Sequence, residues 1–126
     1  MAQPKRPTDG ELALLQVLWE RGPSTVREVL EELEKSEPTG YTTVLKLLQI
    51  MTDKGLVARD ESSRAHVYRP LVTESATQGR FVTELLDKAF GGSPAKLVQR
   101  ALSAKKASRE ELDEIRKLLE EWSEES

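Results

Sequence analysis

A mainly α-helical fold with one small β-hairpin follows from three observations. Three amphipathic stretches, each marked by capping or turn residues, run in succession from Thr8 to Gly55. Two short extended stretches, Leu56 to Arg59 and Ala65 to Leu71, follow at once around the polar tip Asp60-Glu61-Ser62-Ser63-Arg64. Three further amphipathic stretches fill the remainder. Three short helices followed by a hairpin are the parts of a winged helix-turn-helix. The sequence therefore predicts such a domain over residues 1–72 and a C-terminal helical dimerisation region over 73–126.

The first seven residues, with two prolines and two cations, read as a flexible arm. Thr8-x-x-Glu11 is a capping box, in which each side chain satisfies one orphan amide of a helix start. The helix behind it runs from about Asp9 to Arg21, with Leu12, Leu15, Leu18 and Trp19 as its apolar stripe. Gly22-Pro23 ends it, because glycine accepts a left-handed cap and proline cannot continue. Thr25-x-x-Glu28 opens a second helix that ends near Lys35, and Val26, Val29, Leu30 and Leu33 repeat the i, i+3, i+4, i+7 pattern.

Glu37-Pro38-Thr39-Gly40 is turn chemistry, so the third helix begins at about Tyr41. Val44, Leu47, Leu48 and Met51 share its buried stripe. Thr42, Lys46, Gln49 and Asp53 point the opposite way; three of these can donate hydrogen bonds and none is bulky. Gly55 closes this helix with Lys54 in its last turn, where a cation complements the helix dipole.

Beyond Val72 a fourth helix spans about Glu74 to Phe90, with Val82, Leu85, Leu86 and Ala89 as its stripe. Gly91-Gly92 breaks it, and Ser93-Pro94 starts a fifth with Leu97, Val98, Ala101 and Leu102 on one side. Ser108-x-x-Glu111 is a third capping box, opening a sixth helix along which Leu112, Ile115, Leu119 and Trp122 keep one face. These helices are too few to bury their apolar sides alone, which predicts an interface with a second copy of the chain. Phe81, Leu85, Leu97, Leu112, Ile115, Leu119 and Trp122 are the candidate dimer residues.

With 126 residues the chain can bury roughly two-thirds of its unfolded surface without staples. It has no cysteine and a single histidine, His66, so disulfides, thiolate sites and histidine metal clusters are excluded. No apolar run reaches the roughly 18 residues of a membrane span and no signal peptide is visible, so the expected location is cytoplasmic and no membrane insertion is expected. No nucleophile motif, phosphate-binding glycine loop or acid–base pair of carboxylates stands out, so neither an enzyme nor a cofactor site is expected. Net charge is −3 with 33% charged residues, and any nucleic-acid contact must come from local placement of charge.

Recognition helices present their N-terminal residues to base edges, and Thr42, Thr43, Lys46 and Gln49 occupy that part of the third helix. Lysine reaches guanine acceptors or phosphates, glutamine pairs with adenine, and a threonine methyl touches thymine. The bland reading is a solvated outer face, against which the neighbouring helices and hairpin weigh. Tyr41 either contacts the DNA backbone or packs at the helix start. Arg64 suits a wing cation facing phosphate or minor groove, or is a plain turn charge beside Asp60 and Glu61. Thr25 and Arg27 open the second helix, where amides and a hydroxyl can hold a phosphate or simply cap. His66 reads as a structural histidine on the second strand, and Trp19 and Trp122 as core and interface residues.

The run Leu18-x-x-Arg21-Gly-Pro-Ser-Thr-Val-Arg-Glu-Val29, the stretch from Tyr41 to Gln49, Lys54-Gly-Leu-Val57 and Arg64-Ala-His-Val-Tyr-Arg-Pro-Leu71 together resemble the penicillinase repressor family, which includes the methicillin-resistance repressors. The likeness extends to Ser108-Arg-Glu-Glu-Leu-Asp-Glu-Ile-Arg-Lys-Leu-Leu119. It implies a dimeric winged-helix repressor on a palindromic double-stranded operator, with contacts from Thr42, Thr43, Lys46 and the wing. The resemblance further implies inactivation by cleavage triggered by a membrane-bound sensor metalloprotease that responds to β-lactam. By position the family's Asn-Phe bond corresponds to Arg100-Ala101, and the residue types differ. A copper-responsive branch ends in a cysteine-rich tail, which this chain lacks. The alternative is a winged-helix protein-interaction module, which the acidic net charge favours.

Overall fold

The computed structural model describes residues 4–125. In chain order the elements are α1 (Asp9–Arg21), β1 (Ser24–Thr25), α2 (Val26–Glu34), α3 (Tyr41–Lys54), β2 (Val57–Asp60), β3 (Val67–Pro70), α4 (Glu74–Ala89), α5 (Pro94–Ala104) and α6 (Arg109–Glu125). Both N-terminal capping boxes close reciprocally. At Thr8 the backbone amide donates to Glu11 Oε1 at 2.9 Å while Thr8 Oγ1 accepts from the Glu11 amide at 3.3 Å. Thr25 and Glu28 repeat this at 2.9 and 3.2 Å. At α6 the Ser108 hydroxyl accepts from the Glu111 amide.

Gly55 takes a φ of 82°, a left-handed conformation that glycine adopts without the Cβ penalty. The next amide, Leu56, then donates to the Met51 carbonyl at 2.9 Å, so α3 turns directly into β2. The sheet has three strands rather than the two of the expected hairpin, in the order β1-β3-β2 and antiparallel throughout. Ser24 pairs with Tyr68 and Thr25 with Val67. A two-residue strand is too short to show an alternating pattern, which is why the sequence conceals it. The strand β2 keeps the expected four residues but begins one later, at Val57, and β3 is shorter than the expected stretch, four residues long.

The core of this region joins Leu14, Leu15 and Leu18 of α1, Val29 and Leu30 of α2, Val44, Leu48 and Met51 of α3, and Tyr68 of β3. The expected stripe of α1 is shifted: Leu12 is half-buried, and Leu14 and Glu11 take the interior positions. Glu11 is 1% exposed, and Lys54 Nζ donates to both of its carboxylate oxygens at 2.8 and 2.9 Å. A buried charge demands such a partner. Burial raises the Glu11 pKa, but the hydrogen bonds from Lys54 and Thr8 outweigh it and hold the carboxyl below its usual range.

The expected flexible arm needs correction over its described part. Pro7 is buried, Arg80 Nη1 donates to the Pro4 carbonyl at 2.6 Å, and the Arg6 guanidinium lies 5.0 Å from the Phe81 ring centroid. Residues 4–7 therefore pack on the start of α4, while residues 1–3 of the expected arm lie outside the described residues. Trp19 is half-buried and donates from Nε1 to the Val72 carbonyl at 2.9 Å. Two compact units divide between Phe81 and Val82, inside α4.

In the second unit, Val98, Ala101 and Leu102 of α5 and Ile115, Leu118, Leu119 and Trp122 of α6 line an apolar groove of about 320 Å³. Its large side chains stay in solvent, with Leu119 at 61% and Trp122 at 69% exposure.

Lys54→Ala leaves the Glu11 carboxylate buried without its cation and is expected to cost about 3 kcal/mol in urea unfolding. Because the folded pKa of Glu11 is depressed, the contribution is full at neutral pH. It fades as pH falls from the ordinary glutamate value of about 4.3 through the lower folded value. The gap between wild type and variant should therefore narrow in acid, and a gap unchanged from neutral to acidic pH would contradict the assignment.

Candidate nucleic-acid interface

The residues of α3 divide by face. Val44, Leu48 and Met51 are fully buried, and Leu47 is half-buried against the same core. Thr42, Thr43, Lys46, Gln49 and Asp53 are all exposed. The apolar stripe thus fixes the rotation of the helix about its axis, and the polar side chains face solvent as a consequence. Gly40 is the N-cap and offers no side-chain hydrogen bond, so the first turn of α3 keeps free amides near Thr42 and Thr43.

Beside this face lies an open depression of about 390 Å³ lined by Thr25, Arg27, Tyr41, Leu45, Arg64, His66 and Tyr68, among others. Four of the expected contact residues, Thr25, Arg27, Tyr41 and Arg64, therefore meet in one place although they come from β1, α2, α3 and the wing. Thr42, Thr43, Lys46 and Gln49 are outside its lining and occupy the adjoining α3 face. The Arg27 guanidinium lies 5.6 Å from the Tyr41 ring centroid, a cation–π contact that holds the arginine over the start of α3. The Thr25 hydroxyl accepts from the Glu28 amide, so Thr25 does cap.

Several carboxylates near this surface are engaged with other partners. Arg21 takes Glu28 at 3.0 Å and Glu32 at 3.4 Å. Arg59 takes Glu61 at 2.9 Å, and hydrogen bonding to Tyr68 with the charge of Glu61 raises the Arg59 pKa. Asp60 accepts from the Ser62 amide at 2.9 Å, which lowers its pKa. Among the described residues no ion pair engages Arg27, Lys46 or Arg64, so these cations remain available.

His66 lies just outside the strand it was expected to join. It is exposed, stands just ahead of β3, and shares the depression with Arg27 and Arg64. Its place two residues from Arg64 on the wing was the available signal. Of the candidate dimer residues, Leu85, Leu112, Leu119 and Trp122 are exposed, whereas Phe81, Leu97 and Ile115 are half-buried, and Phe81 carries Arg6 over its ring. Leu118, not among the candidates, lines the α5–α6 groove. Arg100 and Ala101 are exposed within α5.

Three helices, a small antiparallel sheet and a hairpin standing beside an exposed polar helix face define a winged-helix DNA-binding regulator. Residues 7–121 match the model of the penicillinase repressor family. The transcriptional regulator BlaI of Mycobacterium tuberculosis is 33% identical over 124 residues, covering 96% of this chain and 88% of that protein. The penicillinase repressor of Bacillus licheniformis is 27% identical over 114 residues, covering 90% and 89% respectively. Among solved structures, Bacillus licheniformis BlaI in its monomeric form in complex with the blaP half-operator is similar at a TM-score of 0.51 and 28% identity, covering 60% of this chain and 92% of that one. The chain belongs to the penicillinase repressor family, a family of transcriptional repressors and not of enzymes.

A double-mutant cycle with Arg27→Ala and Tyr41→Ala in urea unfolding should return a coupling of about 0.5 kcal/mol, as expected of an exposed cation–π pair. Zero coupling would reduce the two to neighbours.

Proposed function

We propose that this chain is a homodimeric, cytoplasmic transcriptional repressor that places one α3 in each of two successive major grooves of a palindromic operator. The observation that carries the reading is the exposed face of Thr42, Thr43, Lys46 and Gln49 on a helix whose other side is fully buried. Lys46 and Gln49 offer donors to base edges, and the threonines offer hydroxyls and methyls. Arg27, Tyr41 and Arg64, with the amide end of α2 beside Thr25, supply the flanking backbone contacts. Asp53 lies at the far end of α3 and takes no part.

The acidic net charge of −3 favours a protein partner at first sight. Glu11, Glu28, Glu32 and Glu61 are each paired with a basic side chain, however, whereas Arg27, Lys46 and Arg64, on or beside the α3 face, have no ion pair among the described residues. That distribution supports DNA. Cleavage at Arg100-Ala101 by a sensor protease would require α5 to unwind first, because the bond lies inside a hydrogen-bonded helix.

A second copy of the chain is the proposed cover for the α5–α6 groove, which leaves Leu119 and Trp122 in solvent; large apolar patches of this kind mark interfaces. Footprinting on the DNA upstream of its gene should reveal two protected half-sites whose centres lie about 10 bp or a multiple apart. One isolated, asymmetric site would count against two-fold docking. Replacing Leu119 and Trp122 with glutamate should yield monomers in analytical ultracentrifugation, and a variant that still sediments as a dimer would sink the interface assignment.

A further inference from the structure

His66 is the single histidine of a chain without cysteine. It is therefore the one side chain whose ordinary titration falls between about pH 5 and 8. It is exposed and lines the depression that holds Arg27 of α2, Tyr41 of α3, Arg64 of the wing and Tyr68 of β3. From β2, Asp60 stands opposite Val67, the residue after His66, with its carboxylate accepting from Ser62. Glu61 is held by Arg59.

A phosphate seated on this depression would favour the imidazolium over the neutral ring through its negative charge. An imidazolium carries two N–H donors, whereas the neutral ring carries one. Binding would then take up a proton at His66.

We infer that His66 is a proton-dependent member of the backbone-phosphate contact formed with Arg27, Tyr41 and Arg64, so that the chain grips DNA more tightly as the medium is acidified. This rests on the DNA-binding reading given above. The direction follows from linkage: the pKa is higher in the complex than in the free protein, so affinity climbs as pH falls through the bound-state value and levels below the free-state value.

Because phosphate contacts carry no sequence information, the probe is a fluorescently labelled random-sequence duplex of about two dozen base pairs at low salt, read by anisotropy with the full chain. The wild type should tighten roughly three- to tenfold between about pH 7.5 and 5.5, the scale of a shift of up to one pKa unit. His66→Gln should lose that slope, and His66→Arg should bind tightly and evenly at both ends. Salt-dependent binding whose pH slope survives in His66→Gln, or is absent in the wild type, would overturn the role of His66 and leave the DNA-binding reading standing. A chain that binds no duplex at either pH would overturn both. The exposure of His66 makes both variants compatible with folding.

Discussion

The pair between Glu11 and Lys54 sets the frame for the winged helix. A carboxylate 1% exposed would be costly without a cation, and the cation comes from the last turn of α3. The same carboxylate completes the cap of α1. One buried group thus ties the beginning of the first helix to the end of the third. Gly55 then passes the chain straight into β2, so the root of the wing inherits its position from that junction. Val44, Leu48 and Met51 settle the remaining freedom, which is rotation about the α3 axis. The exposed polar face is what this combination leaves over.

Charge follows the same economy of position. The chain is acidic overall, yet several carboxylates of the first unit pair with nearby cations: Glu28 and Glu32 with Arg21, and Glu61 with Arg59. The exposed pairs on Arg21 and Arg59 contribute little stability individually. Their effect on the surface is larger, since they leave Arg27, Lys46 and Arg64 as the unpaired cations beside α3. A chain of negative net charge can thereby present a positive patch, which net charge alone conceals.

Much of this was legible in the sequence, and the parts that were not share physical causes. The two N-terminal capping boxes, the glycine stop at Gly55 and the stripe of α3 depend on local geometry, and each is found where the residue spacing put it. Glu11 was legible as a cap but not as a buried ion, because its partner lies 43 residues away. The strand at Ser24 and Thr25 exists through pairing with Val67 and Tyr68, and two residues carry no period. Packing of residues 4–7 on α4 depends on Arg80, again a distant partner. That His66 shares a depression with Arg27 and Tyr41 depends on the fold, because the three are far apart in sequence. The apolar stripes of α5 and α6 were legible, and Val98, Leu102, Leu112, Leu119 and Trp122 are exposed while Leu97 and Ile115 are half-buried.

The central claim is that the outer face of α3 reads a DNA groove. It is tested most directly by the affinity of Lys46→Ala for the protected upstream DNA and for a random duplex at matched salt. If Lys46 contacts a base edge, the variant should lose about 1 to 3 kcal/mol on the specific site and less on the random duplex. Unchanged affinity for both would contradict the account.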